Sequence, residues 1–231
     1  MKKKAALTTP DNPGTVQTVE LLHRRWLSKN AFEIELSRPP ELNFKAGQTI
    51  CFIHDSMERY YSLVSTPNDP SLVVCVYHVA RGKFSPVLAD ARIGSPFQVR
   101  GPHGYFTFSR SERPPVFIAT GTGVAPFVCF ARSGVTDYTL LHQAVSADEL
   151  YYRSYFQKIT ARYFPCLMEA PIKASTLSNF FGGKISECIR KNLPPGSYDF
   201  YLCGEREMIQ DVTRLVDEVY PESRVYTEVF Y

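Results

Sequence analysis

The chain has no paired cysteines. Its six cysteines, Cys51, Cys75, Cys129, Cys166, Cys188 and Cys203, stand apart, with no C-x-x-C and no cluster spacing. That pattern argues against zinc and iron–sulfur ligation, so no metal site is expected. In a chain of 231 residues it points to a reduced, cytoplasmic setting. Charge of one sign is scarce as well: 26 Lys and Arg against 23 Asp and Glu leave a formal net charge of +3. That is too little to argue for nucleic acid as a partner. No run approaches the ~18 apolar residues of a membrane-spanning helix, so no transmembrane segment is expected. Lys2-Lys3-Lys4 is followed only by Ala5-Ala6-Leu7, too short for the apolar region of a signal peptide. Residues 1–14, with Pro10, Asn12, Pro13 and Gly14, read as a flexible tail.

Apolar residues make up 44% of the sequence, enough for a sizeable core, and the length allows one or two domains. The two halves differ in texture. Val16–Leu22, Phe32–Leu36 and Phe97–Arg100 alternate as strands do, and Thr49–Ile53, Tyr61–Val64 and Leu72–Tyr77 are short apolar runs. Turn residues separate them, and one helical piece, Ser85–Ala91, interrupts them. Short strands at regular spacing predict an antiparallel β-barrel over residues 15–110. Arg110–Pro115, charged and carrying two prolines, reads as a linker. Beyond it, strands at Val116–Ile118, Tyr138–Leu141, Phe164–Glu169 and Asp199–Leu202 alternate with helices at Phe127–Arg132, Glu149–Arg162, Lys184–Lys191 and Glu207–Tyr220. Alternation of that kind predicts an α/β domain with a parallel sheet over residues 111–231.

Several groups of residues carry chemistry. Ala119-Thr120-Gly121-Thr122-Gly123-Val124-Ala125-Pro126 joins an apolar strand to a helix start. Glycines there let backbone approach an anion, and unpaired helix N–H groups face it. The turn reads as a phosphate site at the carboxyl end of a strand, or as a tight turn without a ligand. Pro126 stands where the third glycine of a dinucleotide fingerprint would be. In the first half, Arg59-Tyr60-Tyr61-Ser62 joins a guanidinium, an aromatic face and a hydroxyl. Arg81-Gly82-Lys83-Phe84-Ser85 opens a short helix. A guanidinium beside a helix N-terminus suits a pyrophosphate, and an aromatic face stacks on a flat ring. Taken singly, Arg59 reads equally as a surface ion-pair residue, Tyr61 as a barrel-core tyrosine, and Cys203 as a small buried residue at a strand end.

In order, R-x-Y-S at Arg59–Ser62, G-x-x-S at Gly82–Ser85, G-P-x-G-x-F at Gly101–Phe106, G-T-G-x-x-P at Gly121–Pro126, Cys203-Gly204 and the terminal Glu228-Val229-Phe230-Tyr231 resemble the ferredoxin–NADP⁺ reductase family of flavoenzymes. The resemblance spans roughly residues 15–231. It implies that Arg59 contacts the flavin phosphate, that Tyr61 stacks on the isoalloxazine with Tyr60 beside it, and that the Ser62 hydroxyl lies near flavin N5. It implies that the backbone of Gly82, Lys83, Phe84 and Ser85, with the Ser85 hydroxyl, holds the FAD pyrophosphate, and that the backbone at Tyr77 and His78 meets the pyrimidine edge. Gly121, Thr122 and Gly123 with Pro126 would face the nucleotide pyrophosphate, and Cys203 and Gly204 the nicotinamide. Phe230 or Tyr231 would cover the other flavin face. Ser62, Cys203 and Glu228 are the catalytic candidates implied.

The implied reaction moves a hydride from NAD(P)H to bound FAD and then single electrons to an acceptor. FMN is the alternative flavin, since reductases that use it share R-x-Y-S. Members that use NADPH often carry an arginine after the second strand of the nucleotide domain, where this chain has Ser146, and Ser-Arg or Thr-Arg after the third, where it has Ser175-Thr176. Lys173 and Lys184 are available cations, yet the reading leans to NADH. The expected partner is a separate acceptor, a ferredoxin, a flavodoxin or a small molecule, docking near Lys29, Arg38, Lys45 or Arg92. A free-flavin or quinone reductase, and an electron-transfer subunit of a larger complex, are the alternatives. His142 reads as a core or strand-end histidine with no catalytic role.

Overall fold

The computed structural model describes residues 15–160, 162–168 and 180–230; residues 1–14, expected as a tail, and Glu169, Lys173, Ser175-Thr176 and Tyr231 lie outside them. The first half folds as β1 (Gln17–Ser28), β2 (Ala31–Ser37), β3 (Thr49–His54), β4 (Met57–Ser62), β5 (Ser71–Tyr77) and β6 (Pro96–His103), with helix α1 (Ser85–Asp90) between β5 and β6. The strands pair antiparallel in the order β4-β3-β6-β1-β2-β5. A bridge from Leu63 to Val74 and a bond from Val64 N–H to the Val73 carbonyl at 2.8 Å bring the two edges together. The sheet thus closes on itself as the expected barrel. Side chains alternate across a strand, so Val19 and Leu21, Phe32, Ile34 and Leu36, and Leu72, Val74 and Val76 fill one core, all wholly buried.

β4 begins earlier than the apolar run Tyr61–Val64 predicts. Asp55 and Ser56 both take left-handed conformations, φ 44° and 63°, which suit a tight two-residue hairpin turn. The strand that leaves this turn exposes Glu58, Arg59 and Tyr60, so Met57 alone marks its start with an inward apolar side chain.

The second half folds as β7 (Pro115–Thr120), α2 (Ala125–Arg132), β8 (Thr139–Ala144), α3 (Arg153–Ile159), β9 (Tyr163–Leu167), β10 (Phe181–Gly182), α4 (Ile185–Asn192), β11 (Asp199–Gly204), α5 (Arg206–Val219) and β12 (Arg224–Val229). All its strands are parallel, in the order β10-β9-β8-β7-β11-β12. From β7 the chain passes to β8 on one side and later to β11 on the other. The Gly121 turn therefore sits where strand order reverses, the place open α/β sheets bind ligands. Helix α3 is shorter than predicted. A 3₁₀ turn at Ala147–Glu149 precedes it, and Tyr152, at φ 59°, adopts a conformation no α-helix contains. β10 and β12 were not expected.

The two sheets share a core. Ala31, Val64 and Cys75 of the barrel pack in one cluster with Phe117, Phe127, Phe130 and Tyr201 of the second half. Gly47 is required there: it has φ 92°, and a Cβ on it would lie 2.0 Å from the Phe106 carbonyl and 2.6 Å from the Phe130 ring. Polar contacts line the same seam. The Cys129 thiol donates to the Ser65 carbonyl at 3.0 Å, the Tyr152 hydroxyl to Glu33 at 2.8 Å, and Asn30 to Glu149 at 3.2 Å. Phe117 anchors the cluster, wholly buried and stacked on Phe127 and Tyr138 with ring centroids 4.8 Å from each. Phe117→Ala is expected to destabilise the chain by about 3–5 kcal/mol, read from the midpoint of urea unfolding at unchanged slope.

Candidate functional site at the seam between the sheets

β4 ends at Ser62, 2% exposed. Its hydroxyl donates to Glu228 Oε2 of β12 at 2.8 Å. Cys203, wholly buried at the end of β11 and paired in register with Glu228, donates its thiol to the same oxygen at 3.9 Å. The structure thus brings together all three catalytic candidates, Ser62, Cys203 and Glu228, from two sheets. Gly104 closes the other side: a Cβ there would lie 3.7 Å from Glu228 Oε1 and 3.9 Å from Thr49 Oγ1. Among the described residues no guanidinium or ammonium bonds the carboxylate. Burial raises the Glu228 carboxyl from 4.5 to about 7, against the lowering pull of its bonds to Ser62 and Cys203. Burial and the neighbouring Glu228 push the Cys203 thiol well up, which keeps it neutral.

The other residues of Arg59–Ser62 alternate. Tyr61 turns inward, half-buried, edge-on to Phe52 at 5.6 Å and tilted 29° over Phe84 at 6.2 Å. Burial raises its hydroxyl strongly. Tyr60 turns to the opposite face, 53% exposed, edge-on to His103 at 5.4 Å. Arg59 is exposed and bonds only the Glu58 carbonyl, at 2.7 Å, among the described residues. At the end of β5, Tyr77 is exposed, and His78 N–H is bonded to the Asn30 carbonyl at 2.7 Å. Gly82 N–H bonds the Val79 carbonyl at 2.7 Å, while the N–H groups of Lys83 and Phe84 have no acceptor among the described residues. The Ser85 hydroxyl, expected on a pyrophosphate, accepts from Val79 N–H at 2.9 Å. It shapes the loop, which also presents backbone.

On the other sheet, Gly121–Val124 form a 3₁₀ turn that runs into α2, with Pro126 in its first turn. Open helix starts leave N–H groups without intrahelical partners. Gly121 has φ 50° and space around it, whereas a Cβ on Gly123 would lie 2.3 Å from the Cys203 carbonyl. Gly204, φ 135°, allows a similar approach to Thr120, whose hydroxyl accepts from Glu205 N–H at 2.8 Å. Those clashes explain why the turn and Cys203-Gly204 are glycine-rich together: each leaves room for the other. Phe230 is half-buried, its N–H bonded to the Gly204 carbonyl at 2.9 Å. Sequence reasoning missed Thr120, Thr49 and the role of Gly104, which contact the site through fold rather than local pattern. Among the docking cations, Arg38 is withdrawn: its guanidinium is spent on the Leu42, Pro67 and Asp69 carbonyls.

The donors fit a flavin dinucleotide: open N–H groups and an exposed guanidinium for its diphosphate, an aromatic face for its ring, and a hydroxyl–carboxyl pair for its polar edge.

The raised Glu228 carboxyl has a thermodynamic signature. Between 4.5 and about 7 the folded chain holds a proton there that the unfolded chain has released. This contribution to stability is complete below 4.5 and lost as pH rises through about 7. His142, which burial lowers to about 4, acts with the opposite sign: its contribution is present at neutral pH and lost on acidification. The difference between the wild type and Glu228→Gln isolates the first effect. The variant's melting temperature, relative to wild type, is expected to climb as pH rises from 5 to 8; a flat difference contradicts the raised carboxyl.

Two family models match the chain: Oxidoreductase FAD-binding domain over residues 18–108 and Oxidoreductase NAD-binding domain over residues 117–214. The chain is 26% identical to a flavohemoprotein of Deinococcus radiodurans over 74% of its own length, and spans about half, 46%, of that relative. It is 28% identical to the flavodoxin/ferredoxin–NADP reductase of Escherichia coli over 74% of its length and 78% of the relative's. The fold superposes on a ferredoxin NADP⁺ reductase from Neisseria gonorrhoeae, solved with bound FAD and NADP, with a TM-score of 0.81 at 21% identity, covering 94% of this chain and 99% of the other. Among the described residues no helix is long and apolar enough to cross a membrane. With both models covering most of the sequence in this order, the chain belongs to the ferredoxin–NADP⁺ reductase-like flavoprotein oxidoreductases.

Proposed function

We propose that the chain is a cytoplasmic NAD(P)H-dependent FAD reductase. It passes electrons to a separate acceptor, a ferredoxin or flavodoxin in the first instance. Residues 15–110 form the flavin unit and 111–231 the nucleotide unit. The observation that carries the reading is the contact of Ser62 with Glu228, beside Cys203, across the seam. It gives one small site whose walls come from both units, as a reaction between two bound cofactors needs. When bound, the flavin supplies the exchange between a two-electron hydride donor and one-electron acceptors.

The chain's own residues bind, orient and shield. Arg59 and the N–H groups of Lys83 and Phe84 hold the FAD diphosphate, Tyr61 supports one ring face, and the backbone at Tyr77 and His78 meets the pyrimidine edge. Tyr60 flanks this unit from the outer face. Gly121, Thr122 and Gly123, with the helix start at Pro126, hold the nucleotide diphosphate, and Cys203 and Gly204 border the nicotinamide. Phe230, or Tyr231 beyond it, covers the second ring face and keeps water out. Ser62 and Glu228 hold a proton at the site near neutral pH, Glu228 because burial raises its carboxyl to about 7 and so keeps part of it protonated there. NADH is the favoured nucleotide. Beyond β8 stand Ser146 and Asp148, both exposed, a hydroxyl and a carboxylate where a 2′-phosphate needs cations.

The purified chain is expected to be yellow and to release FAD on acid extraction. Without air, NADH is expected to bleach it faster than NADPH; a colourless chain that no flavin reconstitutes overturns the proposal, and faster bleaching by NADPH overturns the nucleotide assignment. Arg59→Ala is expected to weaken FAD retention roughly 10–100-fold, the worth of one hydrogen bond to a charged group. Dialysis against limiting FAD reads it, and because Arg59 is exposed the melting temperature of the flavin-free chain should not move.

A further inference from the structure

His142 is a buried imidazole that the function above does not use. It stands on β8, wholly buried, opposite Ala119 of β7. Its ring lies between two polar atoms: Nε2 is 3.0 Å from the Gly121 carbonyl oxygen and Nδ1 is 3.4 Å from the Tyr163 hydroxyl. A carbonyl only accepts, so Nε2 carries the hydrogen, and Nδ1 is left to accept from Tyr163. Burial lowers the imidazole to about 4, which agrees with a neutral ring. An aliphatic side chain would fill this site without the cost of burying two polar nitrogens, so the imidazole calls for a reason in its partners.

The first partner supplies one. Gly121 opens the 3₁₀ turn with φ 50°, and a Cβ on it would meet nothing within 4 Å. With no side chain to pack, Gly121 is held through hydrogen bonds. From the β11 side the turn is pinned through the Thr120 hydroxyl, which accepts from Glu205 N–H at 2.8 Å. From the β8 side it is pinned by His142. The peptide linking Gly121 to Thr122 is planar, and in a trans peptide the carbonyl and the N–H point in opposite directions. A carbonyl drawn toward β8 by His142 sends the Thr122 N–H the other way.

We propose that His142 is a positioning residue for the nicotinamide dinucleotide: by holding the Gly121 carbonyl it aims the Thr122 N–H at the nucleotide diphosphate, and Tyr163 keeps the ring in the tautomer that can do so. The inference rests on the reading of Gly121-Thr122-Gly123 as the pyridine-nucleotide turn. Its scope is binding: His142 touches neither nucleotide nor flavin, and acts through Gly121.

The test uses the FAD-loaded protein and titrates NAD⁺ and NADP⁺ by calorimetry, so that no turnover intrudes. His142→Leu removes the bond, and His142→Gln offers an amide N–H to the same carbonyl. His142→Leu is expected to weaken the dissociation constant of the preferred nucleotide about tenfold, the worth of one hydrogen bond, with FAD content unchanged. His142→Gln is expected to recover most of that loss even where its melting temperature matches that of His142→Leu, which a merely structural role would not produce. Should His142→Leu fail to fold, His142→Asn, whose amide is too short to reach Gly121, carries the same expectation. Wild-type affinity in His142→Leu or His142→Asn, or a His142→Gln as weak as either, overturns the inference. A wild type that binds neither nucleotide would instead overturn the reading of the turn itself.

Discussion

Ser62 and Glu228 are 166 positions apart in the chain and meet at 2.8 Å. That contact constrains most of what surrounds it. For Ser62 to reach the seam, β4 must end against the second sheet, which the closure of the barrel through Leu63 and Val74 accomplishes. For Glu228 to reach it, β12 must run parallel to β11 in a register that sets Glu228 beside Cys203. For the two strands to lie so close, the shared core of Phe117, Phe127, Phe130 and Tyr201 must hold the sheets together, with Gly47 leaving room for Phe130. An error in any of these separates the hydroxyl from the carboxyl.

The same seam divides labour by secondary structure. The barrel offers edges: an exposed guanidinium on β4 and open backbone N–H groups before α1. The parallel sheet offers the ends of strands, where glycines let β7 and β11 crowd together. Neither half encloses a site alone. The Glu228 carboxyl, bonded by no cation among the described residues, reflects this arrangement, because a group drawn from an edge strand into a seam loses water. Its raised proton affinity is what lets a carboxyl act as a donor near neutral pH.

Much of this was legible in the sequence, and the rest has physical reasons for being hidden. Alternating apolar residues announced β1, β2 and β6, a short apolar run announced β5, and the strand-turn-helix texture announced β7 and its glycine turn, because those patterns are local. β4 began unannounced since its first residues after Met57 face solvent. β12 is an edge strand of half-exposed residues that becomes a strand only when β11 is beside it. Local motifs do not tell how each atom is bonded: the Ser85 hydroxyl accepts from Val79 N–H, Arg38 donates to three carbonyls, and His142 bonds the Gly121 carbonyl. A side chain's partner across sheets leaves no trace in its neighbours along the chain.

If Ser62 and Glu228 act as one unit at a site made by both halves, their effects on flavin reduction are coupled. A double-mutant cycle tests it most directly, with Ser62→Ala, Glu228→Gln and the double variant, each loaded with FAD and mixed with NADH in an anaerobic stopped-flow while flavin absorbance is followed. Non-additive effects on the bleaching rate are expected, with a coupling of about 0.5–3 kcal/mol, as for residues in contact. Effects that add within about 0.3–0.5 kcal/mol, as for distant independent sites, would contradict it.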